Sequence, residues 1–410
     1  MLGYLRSTWS LIALAGSVFF FVVLVGLVFN HLESWQIPVS SRLNADVSSP
    51  SPTIVHDTGA SQTTTHGSTS DSAAGAASSF SSDSHQLRDF YLKQLFKPSI
   101  KPDSPNYKPR DAFEWNLTEK ARWKQPMREN LCIIDLDNRQ FDEQGEVFGP
   151  GVLDWGNNNR VHGLSLGLLN HFVYARIHGY KYYYVNIVDP ADRRASWKKP
   201  AVIAKILKEH DVCLYLDSDA IFYHLDMPFE WLMNFWKLYP DNHSMALAVD
   251  PNFSYNKDKF GKLYLNTGFI VSQNNPVTYK IMDDWSKCPD DNGTYPGCDK
   301  FRLNWPGQPT DQGGFGTFVR YNYTQHIREL PCNEANGYPQ SGSGCNGLFI
   351  RHLWSGKDNH LKFDVGQQLP GPFLRLFHEQ YVKEKPTFYM EESDLLAHGP
   401  SEALRRTLAP

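Results

Sequence analysis

Apolar residues are spread unevenly along this chain, and three regimes follow one another. Leu11 to Phe29 is a run of 19 residues without a charge. As a helix rising 1.5 Å per residue it would span roughly 28 Å, close to the hydrocarbon thickness of a bilayer. Arg6 precedes the run and Glu33 follows it. The positive-inside tendency therefore predicts a cytoplasmic tail over 1–10, a transmembrane signal anchor over 11–29 and a luminal body. A cleaved signal peptide is the rival reading, but its apolar stretch is usually about 7 to 15 residues, and the sequence VFNHLESW offers no small-x-small cleavage site. From Ser48 to Ser84, Ser and Thr fill 18 of 37 positions and Phe80 is the one aromatic residue. Such a segment buries too little apolar area to offset chain entropy, so 30–88 reads as a disordered stem, either O-glycosylated or simply a flexible spacer.

The third regime alternates strand and helix signals. Leu131 to Leu136 is a short apolar run that reads as a buried strand. Val161, Leu164, Leu168, Phe172 and Ala175 recur at helical spacing, and Gly179 stands where a left-handed residue would end the helix. Tyr182 to Ile187 reads as a strand, Pro200 opens a second helix with Val202, Ile203, Ile206 and Leu207 on one face, and Val212 to Leu216 is a third strand. This β-α-β-α-β order predicts an α/β fold with a parallel sheet, helices on both faces, and ligands beyond the carboxyl ends of the strands. Beyond about Phe363 the chain reads as a polar tail with several prolines.

Composition narrows the picture. The formal charge is −4. Residues 1–35 contribute Arg6 and Glu33, and residues 36–88 contribute Arg42 and Arg88 against Asp46, Asp57, Asp71 and Asp83. A nearly neutral body is left, which argues against nucleic acid as a partner. An anionic ligand would have to be held by a metal and a few placed cations. Cys288 with Cys298 and Cys332 with Cys345 each bracket a turn-rich loop that a disulfide could close, whereas Cys132 and Cys213 lie in apolar runs and read as buried hydrophobes. Zinc would need closer, paired Cys/His spacing. Sequons at Asn116, Asn242, Asn252, Asn292 and Asn322 agree with a luminal body.

Candidate chemistry gathers at strand ends. Asp217-Ser218-Asp219 follows the third strand. Two carboxylates two residues apart repel each other unless a divalent cation joins them, and such a cation can also bridge the phosphates of a nucleotide diphosphate. Asp135-Leu136-Asp137 is a second pair, with Asp135 or Asp137 a candidate for binding nucleotide base or ribose, or merely a charged turn. A luminal metal-dependent phosphatase or hydrolase stands as an alternative because pair and strand match, although neither pair continues as a haloacid-dehalogenase-type phosphatase requires; an inactive carbohydrate-binding relative is another. Asn266-Thr267-Gly268 opens an apolar strand and lets backbone approach a ligand. Asp311-Gln312 stands at a helix start, where Asp311 is either an N-cap or a carboxylate facing sugar. His352 ends a strand-like run as a candidate metal ligand, and Lys357 could meet a phosphate. Arg193, Arg194, Lys198 and Lys199 could attract an anionic donor or form an exposed helix approach.

Taken in order, His178-Gly179-Tyr180, Ser196 to Pro200, LYLDSDAIF, LNTGFIV followed by Asp283-Asp284-Trp285, Asp311-Gln312 and the late His352 with Lys357 resemble the GT-A glycosyltransferases, most closely glycosyltransferase family 34. The likeness covers about Leu131 to Lys357. Two departures stand out: Gly313-Gly314-Phe315-Gly316 is unusually rich in glycine, and HLWSGK lacks the cysteine that often follows the family's late His. The resemblance implies a GT-A (Rossmann-like) catalytic domain over 89–365, a C-terminal extension over 366–410, and transfer of a hexose or pentose to a glycan or glycoprotein acceptor with retention. Mn²⁺ or another divalent cation would sit on Asp217, Asp219 and His352. The nucleotide-sugar donor, such as UDP-Gal, GDP-Man or UDP-Xyl, would meet Asp135, Lys199, Asn266, Gly268 and Lys357, with Asp311 and Gln312 catalytic. A single-pass type II protein of the Golgi membrane, alone or in homo- or hetero-oligomers with other Golgi transferases, completes the expectation.

Overall fold

The computed structural model describes residues 86–90, 92–93, 96–109, 113–303, 309–369 and 371–408. The expected anchor and nearly all of the stem lie outside them. Among the described residues no helix is long and apolar enough to cross a membrane.

Strands β1 (Asn106–Tyr107) and β2 (Trp115–Asn116) form a small antiparallel pair. The central sheet is built from β3 (Leu131–Asp137), β4 (Lys181–Asn186), β5 (Val212–Leu216), β7 (Met245–Val249), β8 (Leu265–Gln273), β9 (Ile327–Leu330) and β11 (Tyr389–Glu391). Its order is β11-β4-β3-β5-β8-β7-β9. Pairing is parallel except around β8, which runs antiparallel to both β5 and β7. A separate antiparallel pair joins β6 (Ala220–Phe222) to β10 (Ile350–His352).

Strand alternation divides the core in two. Leu131 and Ile133, Tyr182 and Tyr184, Leu214 and Leu216, and Phe269 and Val271 face one side, where α1 (Gly163–His178) packs. Cys132 and Ile134, Tyr183 and Val185, Cys213 and Tyr215, and Ile270 face the other, against α2 (Lys199–Ile206) and, beyond α3 (Phe229–Phe235), α4 (Pro276–Lys287). Strands buried on both faces have no polar side to show, which is why they read as continuous apolar runs. Gly179 ends α1 in the left-handed region at φ 75°, as the periodicity predicts.

Two expectations change. Cys132 and Cys213 are not independent hydrophobes: they are register partners on adjacent strands and form a disulfide, beside Cys288–Cys298 and Cys332–Cys345. Nor is the region beyond Phe363 a polar tail. After α5 (Thr310–Thr317) and α6 (Cys332–Ala335), α7 (Lys357–Gln368) and α8 (Gly371–Glu384) lead into β11, which extends the sheet edge at β4. Then α9 (Glu392–His398) and α10 (Pro400–Leu408) place Leu395 and Ala403 in the second core.

Candidate active site

Topology explains how distant segments meet. The third strand, β5, delivers Asp217 at its carboxyl end. Because β8 runs the other way beside it, the first residues of β8 lie at that same end, and Asp217 N–H donates to the Gly268 carbonyl at 2.8 Å. The β6–β10 pair sets His352 opposite Ala220, next to Asp219. One ligand atom from each of Asp217, Asp219 and His352 lies within 4.8 Å of the others. Gly268 makes room for the imidazole: a Cβ there would stand 2.3 Å from His352 Cε1.

Cations frame this trio. Lys357 Nζ reaches Asp219 Oδ2 at 2.7 Å, and His352 Nε2 lies 3.4 Å from Asp219 Oδ1. Burial opposes ionisation of Asp219, yet His352 and Lys357 outweigh it and hold the carboxyl well below the usual range. Burial likewise pulls against the His352 imidazolium, and Asp219 more than compensates, so that histidine binds its proton more tightly than usual. Lys199 is 5% exposed, with Nζ at 2.9 Å from Asp217 Oδ1 and 3.8 Å from Asp311 Oδ2, and donates to the Thr267 carbonyl at 3.0 Å. These carboxylates overcome its burial and raise its pKa. Tyr215 hydroxyl donates to Asp217.

A cavity of about 690 Å³ opens over these groups. It is lined by Lys199, Asp217, Asp219, Asn266, Gly268, Asp311, Gln312, His352 and Lys357, so nine of the ten expected site residues share one space. The exception is Asp135. Two residues deeper along β3 than Asp137, its carboxylate accepts from His171 Nδ1 at 2.7 Å and Tyr182 hydroxyl at 2.5 Å, inside the core beneath α1. His171 Nε2 in turn meets the Ala220 carbonyl at 2.6 Å. Through His171, Asp135 is tied to the strand that follows Asp219, and it does not line the cavity. Asp137 lines the cavity in its stead, held by Arg139 at 2.5 and 2.8 Å, and Arg139 also reaches Ser218 Oγ at 3.0 Å.

The basic group before α2 divides similarly. Arg193 pairs with Asp192 and Asp290, Lys198 with Glu392, and Arg194 lines the cavity. Asp311 is no N-cap; Thr267 Oγ1 and Thr310 Oγ1 each donate to its carboxylate at 3.0 Å. The glycines after it let α5 pass aromatic rings, as at Gly314, where a Cβ would stand 2.4 Å from Trp197. Three groups absent from the sequence expectation complete the site: Tyr215, Asn336 and Asp250. Asp250 directly follows an apolar strand, the same signal that marks Asp217.

Residues 156–296 match the family described as "galactosyl transferase GMA12/MNN10 family", glycosyltransferase family 34. That match spans 141 of the 410 residues. The protein is a glycosyltransferase, similar over that stretch to family 34. No curated protein matches this transferase. Among solved structures it is similar to a glycosyltransferase involved in the glycosylation of the major capsid of PBCV-1, at 14% identity and TM-score 0.39, covering 57% of this chain and 98% of that chain. It is also similar to mouse xyloside xylosyltransferase 1 in its apo form, at 10% identity and TM-score 0.33, covering 55% and 98%. Overlaps this loose leave the transferase's fold to its own sheet order.

Proposed function

We propose that the transferase has a GT-A catalytic domain that moves a hexose or pentose from a nucleotide-diphosphate sugar to a glycan acceptor. Mn²⁺ or another divalent cation would be held by Asp217, Asp219 and His352. The observation that carries this reading is the convergence of those three donors, within 4.8 Å, in a cavity flanked by Lys199 and Lys357. Two carboxylates and an imidazole suit a cation of intermediate hardness. When bound, it would offset the negative charge that grows on the departing diphosphate.

The chain's own residues supply the rest. Lys357 is 46% exposed in its side chain and can leave Asp219 for a phosphate oxygen, as a point charge on a flexible stem. Lys199 is buried and stays with Asp217 and Asp311, fixing their separation. Asn266, Gly268 and Gln312 face the sugar. Asp311, restrained by two hydroxyls and a lysine, suits electrostatic support of a positive glycosyl carbon better than attack upon it. That arrangement supports retention through a front-face displacement. Three disulfides in the body support an oxidising compartment. With the apolar run and stem, they favour a type II Golgi membrane protein with a luminal catalytic domain.

The full chain, incubated with UDP- and GDP-sugars and oligosaccharide acceptors, should yield a mass-resolved transfer product that chelation abolishes and Mn²⁺ restores. Transfer indifferent to chelator would remove the metal. Release of phosphate from simple esters, without transfer, would replace the reading with a hydrolase.

A further inference from the structure

Asp250 lies behind the cavity wall, yet three amides around the site are oriented by it. It directly follows β7, and its carboxylate is 5% exposed. Oδ1 accepts from Asn266 Nδ2 at 2.9 Å and from Asn336 Nδ2 at 3.2 Å, while Oδ2 accepts from Gln312 Nε2 at 2.5 Å. Both carboxylate oxygens accept in these bonds, the role an ionised carboxylate is confined to; burial pushes the Asp250 carboxyl up, and the three amides pull against it. Each primary amide must therefore turn its NH₂ toward Asp250 and its carbonyl oxygen away.

The three carbonyl oxygens fall on three different groups. Asn266 Oδ1 accepts from Gly268 N–H at 2.8 Å, and Gln312 Oε1 from Thr267 N–H at 3.3 Å. These two bonds hold the backbone of the turn that the cavity exposes. The third oxygen, Asn336 Oδ1, faces His352 Nδ1 at 3.2 Å. An amide oxygen cannot donate, so Nδ1 must carry the proton of that contact. Nε2, on the Asp219 side, is then the nitrogen left to meet a cation.

We propose that Asp250 is a positioning residue that sets donor and acceptor polarity across the site: through Asn336 it selects the His352 tautomer that offers Nε2 to a divalent cation, and through Asn266 and Gln312 it fixes the Thr267–Gly268 backbone. This rests on the divalent-cation reading of Asp217, Asp219 and His352. A polarity role differs from a packing role in what its loss changes. Asp250→Asn keeps volume and shape but presents an NH₂ to a ring of donors, so at least one amide must reverse. Reversal of Asn336 would turn its NH₂ toward His352 Nδ1, and Nε2 would then take the proton.

The test is calorimetric titration of Mn²⁺ into the metal-free full chain, with thermal unfolding alongside. Asp250→Asn and Asn336→Leu should each weaken Mn²⁺ binding by about 10- to 100-fold, the range typical of losing a partner that orients a metal ligand. Asp258→Asn is the control. Asp258 lies in the same β7–β8 connection, buried against Arg320 at 2.9 Å and bonded to Tyr321. Its loss should lower the melting temperature and leave the Mn²⁺ Kd unchanged. A Kd within about twofold of wild type in both Asp250→Asn and Asn336→Leu overturns the inference while leaving the metal site standing. Should Asp250→Asn fail to fold, Asn336→Leu decides alone. A wild-type chain that binds no Mn²⁺ overturns the cation reading and this inference with it.

Discussion

Asp219 is the residue on which most of the site's charge converges. Its carboxylate faces both His352 and Lys357. Asp219→Asn keeps the shape but removes the charge that holds both partners, and it should lower transfer at least about 100-fold while circular dichroism stays unchanged. Retained transfer at wild-type rate would remove Asp219 from the chemistry. Gly268 is the complementary case, because its contribution is the absence of an atom. Gly268→Ala puts a methyl 2.3 Å from the imidazole, so His352 must shift at a cost of about 1 to 3 kcal/mol. Weaker Mn²⁺ binding with little change in Asp250 or Gln312 contacts is expected, readable by titration and by a structure of the variant.

At the scale of elements, the buried Asp135–His171 pair joins β3, α1 and β6. His171 sits between two acceptors, Asp135 and the Ala220 carbonyl, and all are shielded from water. Burial pushes the Asp135 carboxyl up, and His171 works against it. Asp135→Ala leaves an imidazole without its partner in the core, which costs about 3 to 5 kcal/mol and should show in urea denaturation. A role in direct nucleotide contact would instead raise the donor KM with stability intact. Most elements were legible beforehand: β3, α1, β4, α2 and β5 follow from period and length, because strands buried on both faces and a capped helix leave strong local patterns. The direction of β8 was not legible, since LNTGFIV has the same apolar pattern whether it runs up or down beside β5. That direction places Asn266, Thr267 and Gly268 at the ligand end of the sheet.

Across the whole molecule, the described residues beyond 365, which are 366–369 and 371–408, belong to the fold. Met390 is fully buried in the second core, and β11 pairs with β4. Met390→Ala should lower stability by about 2 to 5 kcal/mol; no loss would mean that the segment is detachable. Acid stability is likewise set by residues scattered through the core. Burial pulls His178 and His224 down to about 4. The unfolded chain takes up protons below about pH 6.5 where the native protein does not, so this contribution is present above pH 6.5 and is lost as pH falls toward 4. At pH 5 His178 alone should account for about 2 kcal/mol. His178→Gln, whose amide can still donate to the Leu225 carbonyl, should flatten the stability difference between pH 7 and pH 5.

Sequence by itself determined the alternation of strands and helices, the strand-end carboxylates, two cysteine pairs spaced to close short loops, and the residue types a metal and diphosphate would require. These are local features, readable from spacing within a few residues. Tertiary structure alone decided that β8 turns back, that Cys132 meets Cys213, that β11 extends the sheet edge at β4, and that Asp137 and not Asp135 reaches the cavity. It also decided that Asp250 orders three amides drawn from three separate segments. Each of these depends on which strands lie side by side and in what register, and burial rewards a strand's apolar pattern equally in more than one arrangement.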